Sequence, residues 1–205
     1  MLDTPWGPWD PMTPREVGGL LAGLDAPWWI AGGYAIEAFV ARAFREHGDV
    51  DVGLLRRDQL LIQKRLDDWD LHAADPPGTL RPWVRGESLP LGVHDIWARR
   101  GAGRPWRFQL MLNESEGDDW LYRRDPRIRR ALGTLVWPRD GISYLAPEVQ
   151  LLFKAKAPRA KDEADFEAAL PLLDKPKRLW LSDALALTEP ANPWINWLTE
   201  QGEIR

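Results

Sequence analysis

The chain has no cysteine among its 205 residues. That excludes a disulfide framework and any thiolate metal site. No apolar run approaches the roughly 20 residues needed to span a membrane. The first residues, MLDTPWGPWDPMTP, lack the charged-then-apolar order of a secretory leader. A cytoplasmic location without a membrane partner is therefore expected. Positive charge is not in excess either: 27 Lys and Arg stand against 31 Asp and Glu, a net charge of −4. This disfavours nucleic acid as an obligatory partner, although a local basic patch is compatible with it. No repeat or low-complexity linker interrupts the chain.

Tryptophan, by contrast, is abundant, with 13 residues against 3 tyrosines. Most should fill cores and pocket walls, because indoles bury large areas, and some can stack on a planar substrate.

The stretch around which the chain is organised is Trp28 to Val52, WWIAGGYAIEAFVARAFREHGDVDV. Trp28 to Ile30 is too short for a helix core and suits a buried strand. Gly32-Gly33 permits a sharp turn and close approach of a ligand to the backbone. Ile36, Phe39, Val40 and Phe44 then recur at helical spacing, which predicts a helix over Tyr34 to Phe44. The glycines thus stand at a helix N-terminus, where free N–H groups favour phosphate. Asp49-Val50-Asp51-Val52 reads as the next strand, with both aspartates on one face. Two adjacent carboxylates repel unless a cation lies between them. Hard oxygen ligands of this kind suit Mg²⁺ or Mn²⁺.

Gly-Gly at a helix start, one helix, then Asp-x-Asp on a strand resembles the nucleotidyltransferase superfamily of DNA polymerase beta type. GGYAIEAF and REHGDVDV are most similar to the aminoglycoside 2″-adenylyltransferase-like family and related lincosamide enzymes. Many superfamily members have Ser as the second residue of the glycine pair, where this chain has Gly33. The resemblance implies an α/β (α+β) nucleotidyltransferase core, its sheet mixed and partly antiparallel and flanked by helices, with a small helical C-terminal part. It implies ATP or another NTP as co-substrate, a divalent metal, and a small acceptor carrying a hydroxyl, possibly an aminoglycoside-type antibiotic. Gly32 and Gly33 would hold phosphates, and Asp49 and Asp51 the metals. His47 could touch phosphate, orient Asp49, or make a structural hydrogen bond.

Thr13-Pro14-Arg15-Glu16 is a helix-start signature, and the Pro-rich residues before it are expected to be irregular. Arg56 to Asp67 predicts a helix with Leu60, Leu61 and Leu66 on its apolar face. Gly92 to Arg99 and Trp106 to Leu112 alternate like paired strands joined at Gly101 to Arg104. Asp95 shares a face with Val93 and Trp97, where a carboxylate is costly without a cation or donors. The resemblance assigns it as the third metal-holding carboxylate and base, with Glu114 or a plain surface role as rivals. Arg123 to Arg130 could grip phosphate or form a solvated surface. Pro147 opens a further helix and Lys161 another. By resemblance, Lys154, Lys156 and Lys161 are candidates for the triphosphate, although Lys154 and Lys156 cannot both face one spot. The expected division is a catalytic core over residues 1–145 and a helical part over 146–205. Two other readings remain: a toxin-type nucleotidyltransferase acting on tRNA or protein, and a non-catalytic nucleotide-binding protein of the same fold. Oligomeric state is left open.

Overall fold

In a computed structural model, residues 2–200 are described. The elements in order are β1 (Leu2–Thr4), β2 (Gly7–Trp9), α1 (Pro14–Leu21), β3 (Trp28–Ile30), α2 (Gly32–Val40), β4 (Asp51–Leu55), α3 (Gln59–Arg65), β5 (Asp70–Ala73), β6 (Arg81–Pro82), β7 (Asp95–Arg99), β8 (Trp106–Glu116), β9 (Asp119–Leu121), β10 (Arg129–Ala131), α4 (Leu132–Leu135), β11 (Val136–Arg139), β12 (Ile142–Leu145), α5 (Pro147–Lys154), α6 (Ala160–Ala169), α7 (Lys175–Thr188) and α8 (Trp194–Glu200).

The main sheet runs β11-β12-β3-β4-β8-β7-β5-β6. It is mixed: β12 with β3 and β4 with β8 are parallel, and the remaining neighbours in this order are antiparallel. The α/β reading with a partly antiparallel sheet holds. Side-chain alternation gives β7 and β8 two distinct faces. Ile96, Ala98, Phe108 and Leu110 are buried on one, while Asp95, Trp97, Gln109 and Met111 are half-buried on the other. Helix α2 packs against α5, α6 and β12.

The capping signature of α1 forms as its residues dictate. Glu16 N–H donates to Thr13 Oγ1 at 3.2 Å, and Thr13 N–H to Glu16 Oε2 at 2.7 Å. Helix α2 starts earlier than its apolar spacing predicts and stops at Ala41, which takes a left-handed φ of 63°. Phe44 therefore lies in the loop that returns toward Gly33. Strand β4 begins at Asp51, so of the two aspartates expected on it Asp49 lies two residues before its start. In α3 the inward face is Ile62 and Leu66, while Leu60 and Leu61 are 42% and 44% exposed. A tight turn at Arg56–Asp58 delays the helix and rotates that face. The expected irregular N-terminus instead forms the β1–β2 hairpin, and β2 pairs with β8 at Trp9 and Trp106. Its indoles hold it there: Trp9 is 3% exposed, and the Trp106 indole N–H donates to Trp6 O at 2.9 Å.

Candidate active site

The site forms where β3 ends, α2 begins and β4 enters the sheet. Gly32 has φ +66°, and its N–H donates to Gln150 Oε1 at 2.7 Å. A Cβ on Gly32 would lie 2.2 Å from Asp51 Oδ2, so only glycine lets this carboxylate lie against the turn. A Cβ on Gly33 would lie 2.0 Å from Arg45 Nη2 and 2.6 Å from His47 Nδ1. The space a Ser side chain would need beside the helix start is thus filled by the loop after α2.

Asp49 and Asp51 both line a cleft of about 260 Å³ at this point. Among the described residues neither carboxylate receives a side-chain hydrogen bond or an ion pair. Burial first, and then the charge of Asp49, push the Asp51 carboxyl up to about 7, against the opposing pull of Lys154. Hard oxygens that repel each other and have no protein donor are a donor set that fits a divalent cation. Asp95 lies across β8. Asp51 pairs in register with Gln109 and Asp95 with Met111, and Gln109 Nε2 donates to Asp95 Oδ1 at 3.1 Å. Among the described residues no three carboxylate or imidazole groups converge into a ready-made metal cluster.

The opposite wall of the cleft is basic, lined by Arg45, Arg123, Arg124, Lys156, Arg159 and Lys161. Arg45 is held by Asp165, which is fully buried, at 2.6 and 2.9 Å. Arg123 forms no ion pair among the described residues. Burial lowers its pKa, and the charge of Asp95 opposes the shift. Lys161 is exposed and likewise unpaired among the described residues. Lys154 also lines the cleft, but its ammonium sits between Asp162 and Asp165, at 2.8 Å from each. His47 stacks on Tyr34 with ring centroids 4.0 Å apart. Its Nε2 lies 2.8 Å from Glu37 Oε2, and its Nδ1 3.1 Å from Arg45 Nη1. These contacts make it a structural partner of Arg45 and not of Asp49.

Glu114, the rival to Asp95, is turned away from the cleft. Arg56 Nε donates to it at 2.7 Å, and the same guanidinium reaches Leu89 O, Pro90 O and His94. The charged run after it is dispersed as well. Arg127 pairs with Asp125, Arg129 with Glu116 and Arg130 with Glu148, so only Arg123 and Arg124 join the cleft. Sequence reasoning missed Arg45, Gln150 and Arg159. For Arg45 a signal existed, a cation two residues before His47. For Gln150 there was none, because its partner is 118 residues away.

The resemblance read from the glycine pair and the aspartates is borne out by comparison with known proteins. The family model described as Aminoglycoside-2''-adenylyltransferase matches residues 15–73, which include Gly32, Gly33, Asp49 and Asp51. The fold is similar to that of the lincosamide antibiotic adenylyltransferase LnuA with lincomycin bound, at 16% identity and a TM-score of 0.52, covering 78% of this chain and 97% of that one. It is also similar to the antibiotic-resistance factor ANT(2'')-Ia in solution, at 15% identity and a TM-score of 0.56, over 86% and 91% of the two chains. ANT(2'')-Ia in complex with adenylyl-2''-tobramycin gives 14% identity and a TM-score of 0.53, over 85% and 97%. A search of curated proteins finds no match. The fold is similar to that of these antibiotic adenylyltransferases.

Proposed function

We propose that the protein transfers a nucleoside monophosphate, AMP from ATP, to a hydroxyl of a small antibiotic-type acceptor and releases pyrophosphate. The observation that carries this reading is the unpaired Asp49–Asp51 couple, set against the Gly32 turn and facing a basic wall. A surface strand of no function would not place two carboxylates without donors at the floor of a cleft, because the arrangement is unfavourable until a cation arrives.

A divalent metal held by Asp49 and Asp51 would neutralise charge on the attacking and leaving oxygens. The chain's own groups do the positioning. Lys161, Arg159 and Arg123 offer the cationic contacts a triphosphate needs, and Arg45 fills the space beside Gly33. Asp95, oriented by Gln109, accepts the proton of the acceptor hydroxyl. That oxygen bonds to the α-phosphorus as the bond to the pyrophosphate oxygen breaks. The LnuA neighbour with lincomycin bound and the ANT(2'')-Ia complex with adenylyl-tobramycin make glycosidic antibiotics the acceptors to screen. The tRNA reading loses support because the arginines from 127 to 130 do not form a continuous basic groove with the cleft lysines.

The test is calorimetric titration with a non-hydrolysable ATP analogue, with and without Mg²⁺, on the wild type and on Asp49→Asn/Asp51→Asn. The expected result is Mg²⁺-dependent binding that the double variant loses. Equal binding by both proteins would remove the metal assignment.

A further inference from the structure

Several tryptophans pack together on the sheet beside this site. Three strands place one of them there. Asp51 pairs in register with Gln109, and Gln109 with Trp97. Residues paired in this way point to the same face, and two strand spacings put Trp97 about 10 Å from Asp51. Trp97 is also two residues from Asp95 on the same half-buried face. From the glycine turn outward, the order across this face is Gly32, Asp51, Gln109, Trp97.

The direction of reaction gives this order a meaning. In-line displacement requires the acceptor oxygen to enter opposite the leaving pyrophosphate. The pyrophosphate belongs on the basic side, at Gly32 and Lys161. The acceptor must therefore approach over β8 and β7, where the wall is indole. The β1–β2 hairpin brings Trp6 and Trp9 onto Trp97, with centroids 5.9 and 4.9 Å away. Trp9 and Trp106 are buried, and Arg99 covers Trp106 at 4.2 Å. The indoles left with accessible surface are Trp97, half-buried, and Trp6, 40% exposed.

Charge defines the occupant further. A polycation needs several carboxylates free of local counter-ions. On this side Asp70 is taken by Arg99 and His72, at 2.7 and 2.9 Å, and Asp10 by Arg107. Among the described residues on this side, Asp95 is the carboxylate without an ion pair, and it faces the charge of Arg123. We propose that the Trp97–Trp6 wall is the acceptor subsite, and that it takes a neutral or singly charged hydroxylated ring whose apolar face lies on indole, in preference to a polycation. The assignment rests on the transferase reading above.

The experiment measures pyrophosphate release from MgATP with lincomycin, a singly charged glycoside, and with tobramycin, a polycation. The proteins are the wild type, Trp6→Ala and Trp97→Phe; the second keeps a ring in the packed position. Lincomycin should be favoured at least tenfold in kcat/KM, an order-of-magnitude expectation for an apolar face on indole against an uncompensated polycation. Each variant should raise the KM for lincomycin by about five- to tenfold, leaving kcat within about twofold and binding of the ATP analogue unchanged. Preference for tobramycin, an unchanged KM in both variants, or turnover of neither acceptor by protein that binds the analogue would each overturn the subsite. Failure of the wild type to bind the analogue would instead remove the transferase reading, and the subsite with it.

Discussion

Replacing Asp165 with Ala tests whether the basic wall is held from beneath. Asp165 is fully buried and accepts from Arg45 Nε at 2.6 Å, Arg45 Nη2 at 2.9 Å and Lys154 Nζ at 2.8 Å. Arg45 and Lys154 are themselves only 16% and 8% exposed. Alanine would leave the guanidinium without its carboxylate in a site that water reaches poorly, while Lys154 would keep Asp162. Removing one member of a buried pair typically costs about 3–5 kcal/mol. For a chain of this size that corresponds to a melting temperature lower by about 6–20 °C. Urea denaturation followed by tryptophan fluorescence measures the loss directly, with an unchanged m-value as evidence that the native state is still compact. The double variant Asp165→Ala/Arg45→Met removes both charges and should recover at least half of the loss. A loss below about 1 kcal/mol for Asp165→Ala would refute the reasoning, because it would mean that the Arg45 pair is solvated like an ordinary surface bridge.

Gly33→Ser would place a Cβ 2.0 Å from Arg45 Nη2, so it should weaken binding of the ATP analogue. Adding Arg45→Ala and His47→Ala together should restore space and part of the affinity in calorimetry, and no recovery would show that the glycine serves something other than making room for these two side chains. A third prediction concerns acid stability. Burial pushes the Asp162 carboxyl up, but hydrogen bonds from Arg159 and Lys154 outweigh it and hold the carboxyl well below its ordinary value of 3.8. Its stabilising contribution is therefore present above that value and lost as pH falls toward the lower folded value. Asp162→Asn should flatten the acid limb of a stability-versus-pH curve below about pH 4, whereas an unchanged limb would assign acid sensitivity to other groups.

What was legible in the sequence was what is local. The Thr13–Glu16 capping box lies within four residues. The strand, glycine turn, helix and aspartate pair lie within 25, and all of them form. The misreadings arose where partners are distant. The N-terminal hairpin needs indoles from β7 and β8, nearly 100 residues on, so its prolines alone suggested irregular chain. The face of α3 depends on a tight turn that apolar spacing does not reveal. Glu114 was a rival to Asp95 only until Arg56, 58 residues earlier, proved to hold it.

Net charge and local charge differ in this chain, as the sequence allowed. The chain carries −4 overall, which disfavours polyanions, yet seven cationic side chains line one cleft. The two facts are compatible because a cleft with low-dielectric walls responds to the charges lining it, and screening removes the rest beyond about 10 Å. Within the cleft the carboxylates divide by function. Asp162 and Asp165 are spent on Lys154, Arg159 and Arg45, and so brace the basic wall without reaching a ligand. Among the described residues Asp49 and Asp51 have no such partner. The fold thus neutralises its deeper aspartates and leaves beside the glycine turn the couple on which the proposed metal site depends.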